Sequence, residues 1–529
     1  MRPKPLIFQC IKQRYKTIIK KDYVKRLYKT TIIEITQIFF SHLILSMKCK
    51  INKKIFDKMS FEECELAILR NAIDTAENIE GKKLLNNPQI TRIIEIVESF
   101  LKQKKRICYG GTAINNILPN EAQFYNKEIE FPDYDFFSPT PLKDAKSLAD
   151  VYYKKGFQEV EAKAGTHAGT FKVFVNFIPV ADITYMEPNL YKSLMKKAIL
   201  VDDIYYSPPN YLRMLMYLEL SRPAGNISRW EKVLKRIILL NKQFPLKGTN
   251  CNLLSIQRII DPQSSITKQD QRKIFDITRD FFIDEGLIFF GAMANEMYVK
   301  FDSKDSKHNL LPKIPDFDVL SLDPYKSAIA LEKRLEEEGF KKIKIKKQKG
   351  VGDIIAPHYE IKISNETIAF IYEPLACHSF NVINIKGREI KIATIDTMLS
   401  FYLAFLYVDK EYYDYNRIIC MSEILFRVQQ ENRLEQKGIL KRFSVNCFGK
   451  QLTLGDIREE KANKYRELKN ERGSDDWNWY FYKYSPAEEQ RSTRKYKSTR
   501  NAKGKSKKNK KTRKRHKNQF SKLPNVFGF

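Results

Sequence analysis

Two short stretches carry residue types that can act together. "YGGT" at 109–112 places Gly110, Gly111 and Thr112 at the mouth of a helix-like run. "FPDYDFFSP" at 131–139 places Asp133 and Asp135 two positions apart. Residues i and i+2 of an extended strand share a face, so the two carboxylates project together. A third carboxylate, Asp182, lies in "VADITYM", on a later alternating run. Three carboxylates on neighbouring strands can converge on a pair of divalent cations. Hard oxygen ligands suit Mg²⁺, which keeps water and phosphate oxygens as its other ligands. Two such ions can activate a hydroxyl nucleophile and stabilise a departing pyrophosphate. Glycines let backbone amides approach a triphosphate, and a helix N-terminus adds partial positive charge. Cation ligands and a phosphate cradle together read as two walls of one nucleotide site.

These residues need elements to hold them. "RICYGG" is a short apolar strand ending in glycines, and "TAINNIL" starts a helix with Thr112 suited to cap it. "DYDFF" is a strand; "SPTPLKDAKSLADVYYKKGF" is a helix opened by Ser-Pro-Thr-Pro and stopped at Gly156. "TFKVFVNFIPVADITYM" reads as one long alternating strand carrying Asp182. The same order then returns. "DYDFFSPTPLKDAKSLADVYYKKGF" at 133–157 aligns without a gap with "DFDVLSLDPYKSAIALEKRLEEEGF" at 316–340, so Asp133 and Asp135 meet Asp316 and Asp318. "YGGTAINNIL" meets "FFGAMANEMY", and the helix-like "NYLRMLMYLEL" meets "DTMLSFYLAFL". The fold class is therefore α/β (α+β), with two tandem units of mixed sheet and helices. The expected organisation is a basic extension over 1–58 and a catalytic domain over 59–250. A degenerate second domain follows over 251–410, then a helical region over 411–486 and a disordered basic tail over 487–529.

A strand, then Gly-Gly-(Ser/Thr) opening a helix, then Asp-x-Asp, then a third Asp on a later strand resembles the polymerase-beta-like nucleotidyltransferase pattern. "YGGTAINNILP", "FPDYDFFSP" and the duplication resemble more closely the catalytic poly(A) polymerases of large cytoplasmic DNA viruses. The giant-virus and asfarvirus type is nearest and the poxvirus enzymes more distant. The resemblance covers roughly residues 60–480. It implies template-independent addition of AMP from ATP to the 3′ end of mRNA, with Mg²⁺ or Mn²⁺. Asp133, Asp135 and Asp182 would be the catalytic metal ligands, and Gly110, Gly111 and Thr112 the nucleotide loop. It also implies a homodimer or a heterodimer with a processivity subunit, and action in the virion and host cytoplasm. Other readings are a uridylyl- or CCA-adding transferase, or a non-catalytic RNA-binding scaffold; the intact three-carboxylate set argues against the scaffold.

The second copy departs from the pattern. Aligning Tyr185 with Tyr372 puts Ala369 opposite Asp182, and the glycine pair becomes Phe290-Gly291 or Gly291-Ala292. With a ligand lost, this copy reads as structural or RNA-binding, unless Glu366 or Glu373 substitutes. Arg229, Lys232 and Arg236 recur at helical spacing and face either a polyanion or solvent. Trp230 is a base-stacking or core residue, and His167 a hairpin residue near the site.

Bulk properties bound the partners. Lys and Arg exceed Asp and Glu by 94 to 63 in 529 residues, a net charge of +31. The stretch 491–517 holds 15 of the basic residues and no acid, too polar to bury a core and suited to phosphates. Eight cysteines without CxxC pairs predict neither a zinc site nor a disulfide framework, and a reducing compartment. The apolar run 31–47 carries Glu34 and His42 and reads as a helix rather than a membrane span. "MSFEECELAIL" from Met59 reads like a natural start, with Ser60 capping and Glu63 three residues on.

Overall fold

In a computed structural model, the described residues are 61–85, 87–125, 131–251, 256, 266–303 and 316–491. The expected N-terminal extension, the run 31–47 and all but the first residues of the basic tail lie outside them. Residues 1–91 with 126–131 form one compact unit, and the remainder forms another. The first unit holds α1 (Phe61–Leu85). Among the described residues, no helix is long and apolar enough to cross a membrane.

After α2 (Pro88–Lys104), the first copy runs β1 (Ile107–Tyr109), α3 (Gly110–Ile117), β2 (Tyr134–Ser138), α4 (Pro141–Lys154), β3 (Val160–Ala164), β4 (Thr170–Val175), β5 (Ile178–Tyr185), α5 (Pro188–Met195), β6 (Ile199–Val201), β7 (Ile204–Tyr206), α6 (Pro209–Leu220) and α7 (Trp230–Gln243). The second runs α8 (Lys268–Asp284), β8 (Ile288–Phe289), α9 (Ala292–Val299), β9 (Phe317–Leu320), α10 (Pro324–Glu337), β10 (Ile343–Gln348), β11 (His358–Ile363), β12 (Glu366–Tyr372), β13 (His378–Ile385), β14 (Arg388–Ala393) and α11 (Ile395–Phe405). Then come α12 (Tyr415–Glu431), β15 (Cys447–Phe448), α13 (Leu454–Leu468), α14 (Asp475–Phe481) and β16 (Lys483–Tyr484).

The sheets repeat one plan. The strand orders are β16-β3-β4-β5-β2-β1-β7-β6 and β10-β11-β12-β9-β8-β14-β13-β15. Set β16 and β15 aside and the two orders match strand for strand. So do the directions: β1 and β8 run antiparallel to β2 and β9, which run parallel to β5 and β12. The helix after the Asp-x-Asp strand repeats too. Pro141 and Pro324 start it, where a missing N–H costs nothing. Gly156 (φ +98°) and Gly339 (φ +89°) end it in the left-handed region. The next amides, of Phe157 and Phe340, then donate back to Tyr152 O and Leu335 O.

Several expectations are corrected. The stretch 170–186 is a hairpin of β4 and β5, not one strand. Its turn is Asn176-Phe177, both at positive φ (49° and 66°), as a tight hairpin turn requires. Phe177 carries no turn signature and keeps the apolar pattern running through the bend. Thr112 does not cap its helix, which begins at Gly110. Two disulfides are present, Cys251–Cys420 and Cys377–Cys447, against the expectation of none. Their separations of 169 and 70 residues leave no local pattern to read.

The core lies on both sheets and between the copies. On α2, Ile93, Ile96, Val97, Phe100 and Leu101 are buried at helical spacing, forming one apolar stripe. The equivalent helices α6 and α11 pack on each other, and every residue of α11 is buried. The region after residue 410 divides between the copies: α12 packs on α9 and α11, and α14 packs on β3. β15 and β16 extend different sheets.

Candidate active site

Strand pairing assembles the carboxylates. β2 and β5 are adjacent and parallel, with Asp135 directly opposite Asp182. Asp133 precedes β2 by one residue. β1 lies on the other side of β2 and puts Tyr109 opposite Asp135, so Gly110 emerges beside that carboxylate. Gly110 has φ +75°, and a Cβ there would sit 2.5 Å from Asp135 Oδ2. No other residue fits so close to the carboxylate at that backbone angle. Thr112, expected to face the nucleotide, is 5% exposed and donates to Asp133 O at 2.6 Å. It holds the backbone of the first aspartate.

The three acids lie close enough to oppose one another's charge. Burial, then the charges of Asp133 and Asp182, push the Asp135 carboxyl well above the usual range; Lys172 and Arg229 pull it back. Crowding by protein, then Asp182, raises Asp133, and Lys172 and Lys232 oppose the rise. Across β4, Lys172 stands opposite Asp182 and forms an ion pair with it. Among the described residues, no three His, Cys, Asp or Glu side chains are already gathered as a ready ligand set. The donor set nevertheless fits divalent cations: hard oxygens, mutually repelled, beside a glycine that leaves space.

α7 supplies the facing cations. Its Arg236 Nη2 donates to Tyr125 Oη at 2.5 Å and lies over the Phe124 ring at 5.1 Å. A Cβ on Gly111 would meet Tyr125 Oη at 2.4 Å and Arg236 Nη2 at 2.8 Å, so this pair sits at the glycine mouth. Arg229 also pairs with Glu219 at 3.2 Å. Arg229 and Lys232 thus lie within electrostatic reach of the acids, Lys232 while exposed to solvent, and Arg236 sits at the glycine mouth. Trp230 is structural: Nε1 donates to Glu219 O at 3.0 Å and the ring lies 5.7 Å from Phe443. His167 lies in the β3–β4 turn, where burial, then Lys461 and Lys172, lowers its pKa. Sequence reasoning missed Lys172 and Tyr125. Lys172 left one signal, the only charge in "TFKVFV".

The second copy's equivalent position is closed. Gly291 corresponds to Gly110, since a Cβ there would meet Asp318 Oδ2 at 2.2 Å; the surviving pair is Gly291-Ala292. Asp318 stands opposite Phe370, not Ala369, because β12 pairs one residue further along than the Tyr185–Tyr372 alignment implies. Phe370 packs against Tyr412, the ring centroids 4.7 Å apart and the planes tilted by 36°. Glu366 lies four residues from Phe370, about 13 Å along the strand, and Glu373 points to the exposed side. Neither replaces the lost ligand. Instead Arg417, on α12, donates to Asp316 Oδ2 at 2.8 Å, the two side chains being 18% and 8% exposed. Asp316, then Asp318, raises the Arg417 pKa against its burial. A guanidinium thus stands where the first copy leaves room for cations.

The comparisons with known proteins fall on this region. The family model described as "Poly(A) polymerase catalytic subunit" matches residues 95–226, which include Gly110, Asp133, Asp135 and Asp182. A candidate poly(A) polymerase catalytic subunit of Acanthamoeba polyphaga mimivirus is 31% identical over 225 residues, 41% of this chain and 37% of that protein. One of African swine fever virus is 34% identical over 174 residues, 32% of this chain and 36% of that protein. The matched part thus spans little more than a third of these relatives. The solved Megavirus polyadenylate synthase superposes with a TM-score of 0.69 at 21% identity, covering 84% of this chain and 89% of that one. The two-sheet fold is therefore shared with that structure.

Two outcomes follow. Asp135→Asn removes one of three repelling charges from a half-buried site. In chelator at neutral pH it is expected to raise stability by on the order of 1 kcal/mol, a few degrees at most in calorimetry. A lower melting temperature would show that Asp135 is held by favourable contacts instead. Asp316→Asn with Asp318→Asn strands Arg417, with an expected loss of about 3–5 kcal/mol in denaturant unfolding. Adding Arg417→Met to that variant restores most of it; no recovery contradicts the pairing.

Proposed function

We propose that the chain is a polynucleotide adenylyltransferase, adding AMP from ATP to an RNA 3′ end at the first copy. The observation that carries this is the opposition of Asp135 and Asp182 on adjacent strands, beside a glycine turn that admits phosphate. The similarity of residues 95–226 to poly(A) polymerase catalytic subunits supports it. Asp133, Asp135 and Asp182 would hold two Mg²⁺ or Mn²⁺ ions. When bound, such ions lower the pKa of a hydroxyl and neutralise charge developing on a phosphate.

The chain's own residues do the remaining work. The Gly110-Gly111 backbone and the start of α3 cradle the triphosphate. Arg236, Lys232 and Arg229 balance its charge from the opposite wall, and Arg236 leaves Tyr125 to do so. Lys172 keeps Asp182 paired in the free protein and exchanges that partner for the substrate complex. The RNA 3′ hydroxyl gives its proton to solvent as its oxygen bonds the α-phosphorus of ATP; the bond from that phosphorus to the α–β bridging oxygen breaks, and pyrophosphate leaves. The viral relatives support a setting in virions or the host cytoplasm.

A short RNA offered with each nucleoside triphosphate in turn, and Mg²⁺ or Mn²⁺, tests the reaction. ATP should extend the RNA, and Asp133→Ala, Asp135→Ala and Asp182→Ala should each lower the rate at least about 100-fold, beyond the loss typical of an outer partner of a metal site. Extension by UTP alone would favour the uridylyl-transferase reading. A near wild-type rate for Asp182→Ala would remove the third ligand.

A further inference from the structure

The two sheets differ at one edge. In the first, the outer side of β3 is covered by β16, with Lys483 opposite Lys163 and Tyr484 opposite Ala162. β10 is the equivalent strand of the second sheet, and among the described residues it pairs only with β11. Its open edge is basic. The segment 341–349, "KKIKIKKQK", holds six lysines, Lys341, Lys342, Lys344, Lys346, Lys347 and Lys349, all exposed. Among the described residues none of them forms an ion pair. The six strand residues, Ile343–Gln348, span about 20 Å, and Lys341, Lys342 and Lys349 extend the basic surface just beyond either end.

Aromatic and apolar surface borders one face of this edge, the face of Lys347; Lys344 and Lys346 project from the other, where Lys346 stands opposite Glu360. Lys347 stands opposite Tyr359 across the strands, with its ammonium 5.8 Å from the ring centroid. Tyr359 in turn contacts Tyr325 of α10, with ring centroids 5.4 Å apart. Tyr325 is 54% exposed, and Leu322 (68%) and Ile329 (42%) flank it one turn to either side. The acids of α10, Glu332, Glu336 and Glu337, with Glu338 just past its end, begin two turns beyond Tyr325.

We propose that the β10 edge of the second copy, with Tyr325 and Tyr359, is a binding surface for single-stranded RNA outside the first copy's cleft. It rests on the reading that the substrate is an RNA strand. Lysines on both faces of this edge strand neutralise phosphates of a strand that follows it, and the exposed Tyr325 ring, backed by the half-buried Tyr359 on the face of Lys347, accepts a stacked base without sequence preference. A second copy of this chain fits poorly there. Pairing two β10 edges would set one lysine row against another, and like charges opposite each other destabilise a ladder. This surface gives the second copy, whose carboxylates are answered by Arg417, a task of its own.

The test uses the full chain and a labelled single-stranded RNA, followed by fluorescence anisotropy across a salt series, in chelator and without ATP. Lys344→Gln with Lys346→Gln and Lys347→Gln should flatten the slope of log affinity against log salt by about 2, at roughly 0.7 per phosphate lost. Tyr325→Ala should weaken RNA binding about tenfold, within the range measured for one stacked base, yet leave binding of poly-L-glutamate unchanged. Circular dichroism and melting establish that each variant is folded. An unchanged slope and affinity in the folded triple variant overturns the proposal. So does poly-L-glutamate binding as tightly as RNA, which would point to an acidic protein partner. The outcomes separate from those of the transfer reaction. RNA that binds here but is never extended sinks the adenylyl-transfer reading alone, whereas extension with unaltered binding sinks only this surface.

Discussion

Repulsion between carboxylates held side by side is the constraint on which this structure turns. The shared sheet plan brings an Asp-x-Asp strand beside the equivalent of β5 in both copies. Such a group cannot stand at neutral pH without positive charge nearby. The first copy offers only partial relief, from Lys172 on Asp182 and from the basic face of α7. The second is answered from within by Arg417. One arrangement keeps its carboxylates only partly neutralised, and the other is complete as it folds.

That difference explains why the copies keep one topology and diverge in what surrounds it. Phe370 in place of Asp182 fills space that a ligand would need, and the Tyr412 ring covers it. α12, which carries Arg417, is fastened at Cys420 to Cys251, in the segment after α7. The link between the copies thus lies one turn from the closing arginine. The added strands fall on opposite ends of the two sheets, leaving β10 open where β3 is covered.

Much of this was legible in the sequence, for definite reasons. The spacing of Gly110, Asp133 and Asp135 predicted that they come together, and the pairing of β1, β2 and β5 does bring them side by side. The ungapped repeat revealed the duplication because helix start, helix stop and strand are all marked by the same residues in both copies. The boundary between β4 and β5 was hidden, since Phe177 supplies no turn chemistry. The Phe370 register was hidden too, because backbone hydrogen bonds set strand pairing and an alignment on Tyr372 slips by one. Arg417 lies 101 residues from Asp316, and no local pattern predicts so distant an ion pair. The disulfides escaped for the same reason.

Iron-mediated backbone cleavage tests the central claim most directly. With hydrogen peroxide and ascorbate added, Fe²⁺ bound in place of Mg²⁺ reduces the peroxide to hydroxyl radicals, which cut only the chain close to the ion. The account predicts cuts near residues 110, 133–135 and 182, suppressed by excess Mg²⁺, and none near 291 or 316–318. Equal cutting around Asp316 and Asp318, or none around Asp133 and Asp135, would contradict it.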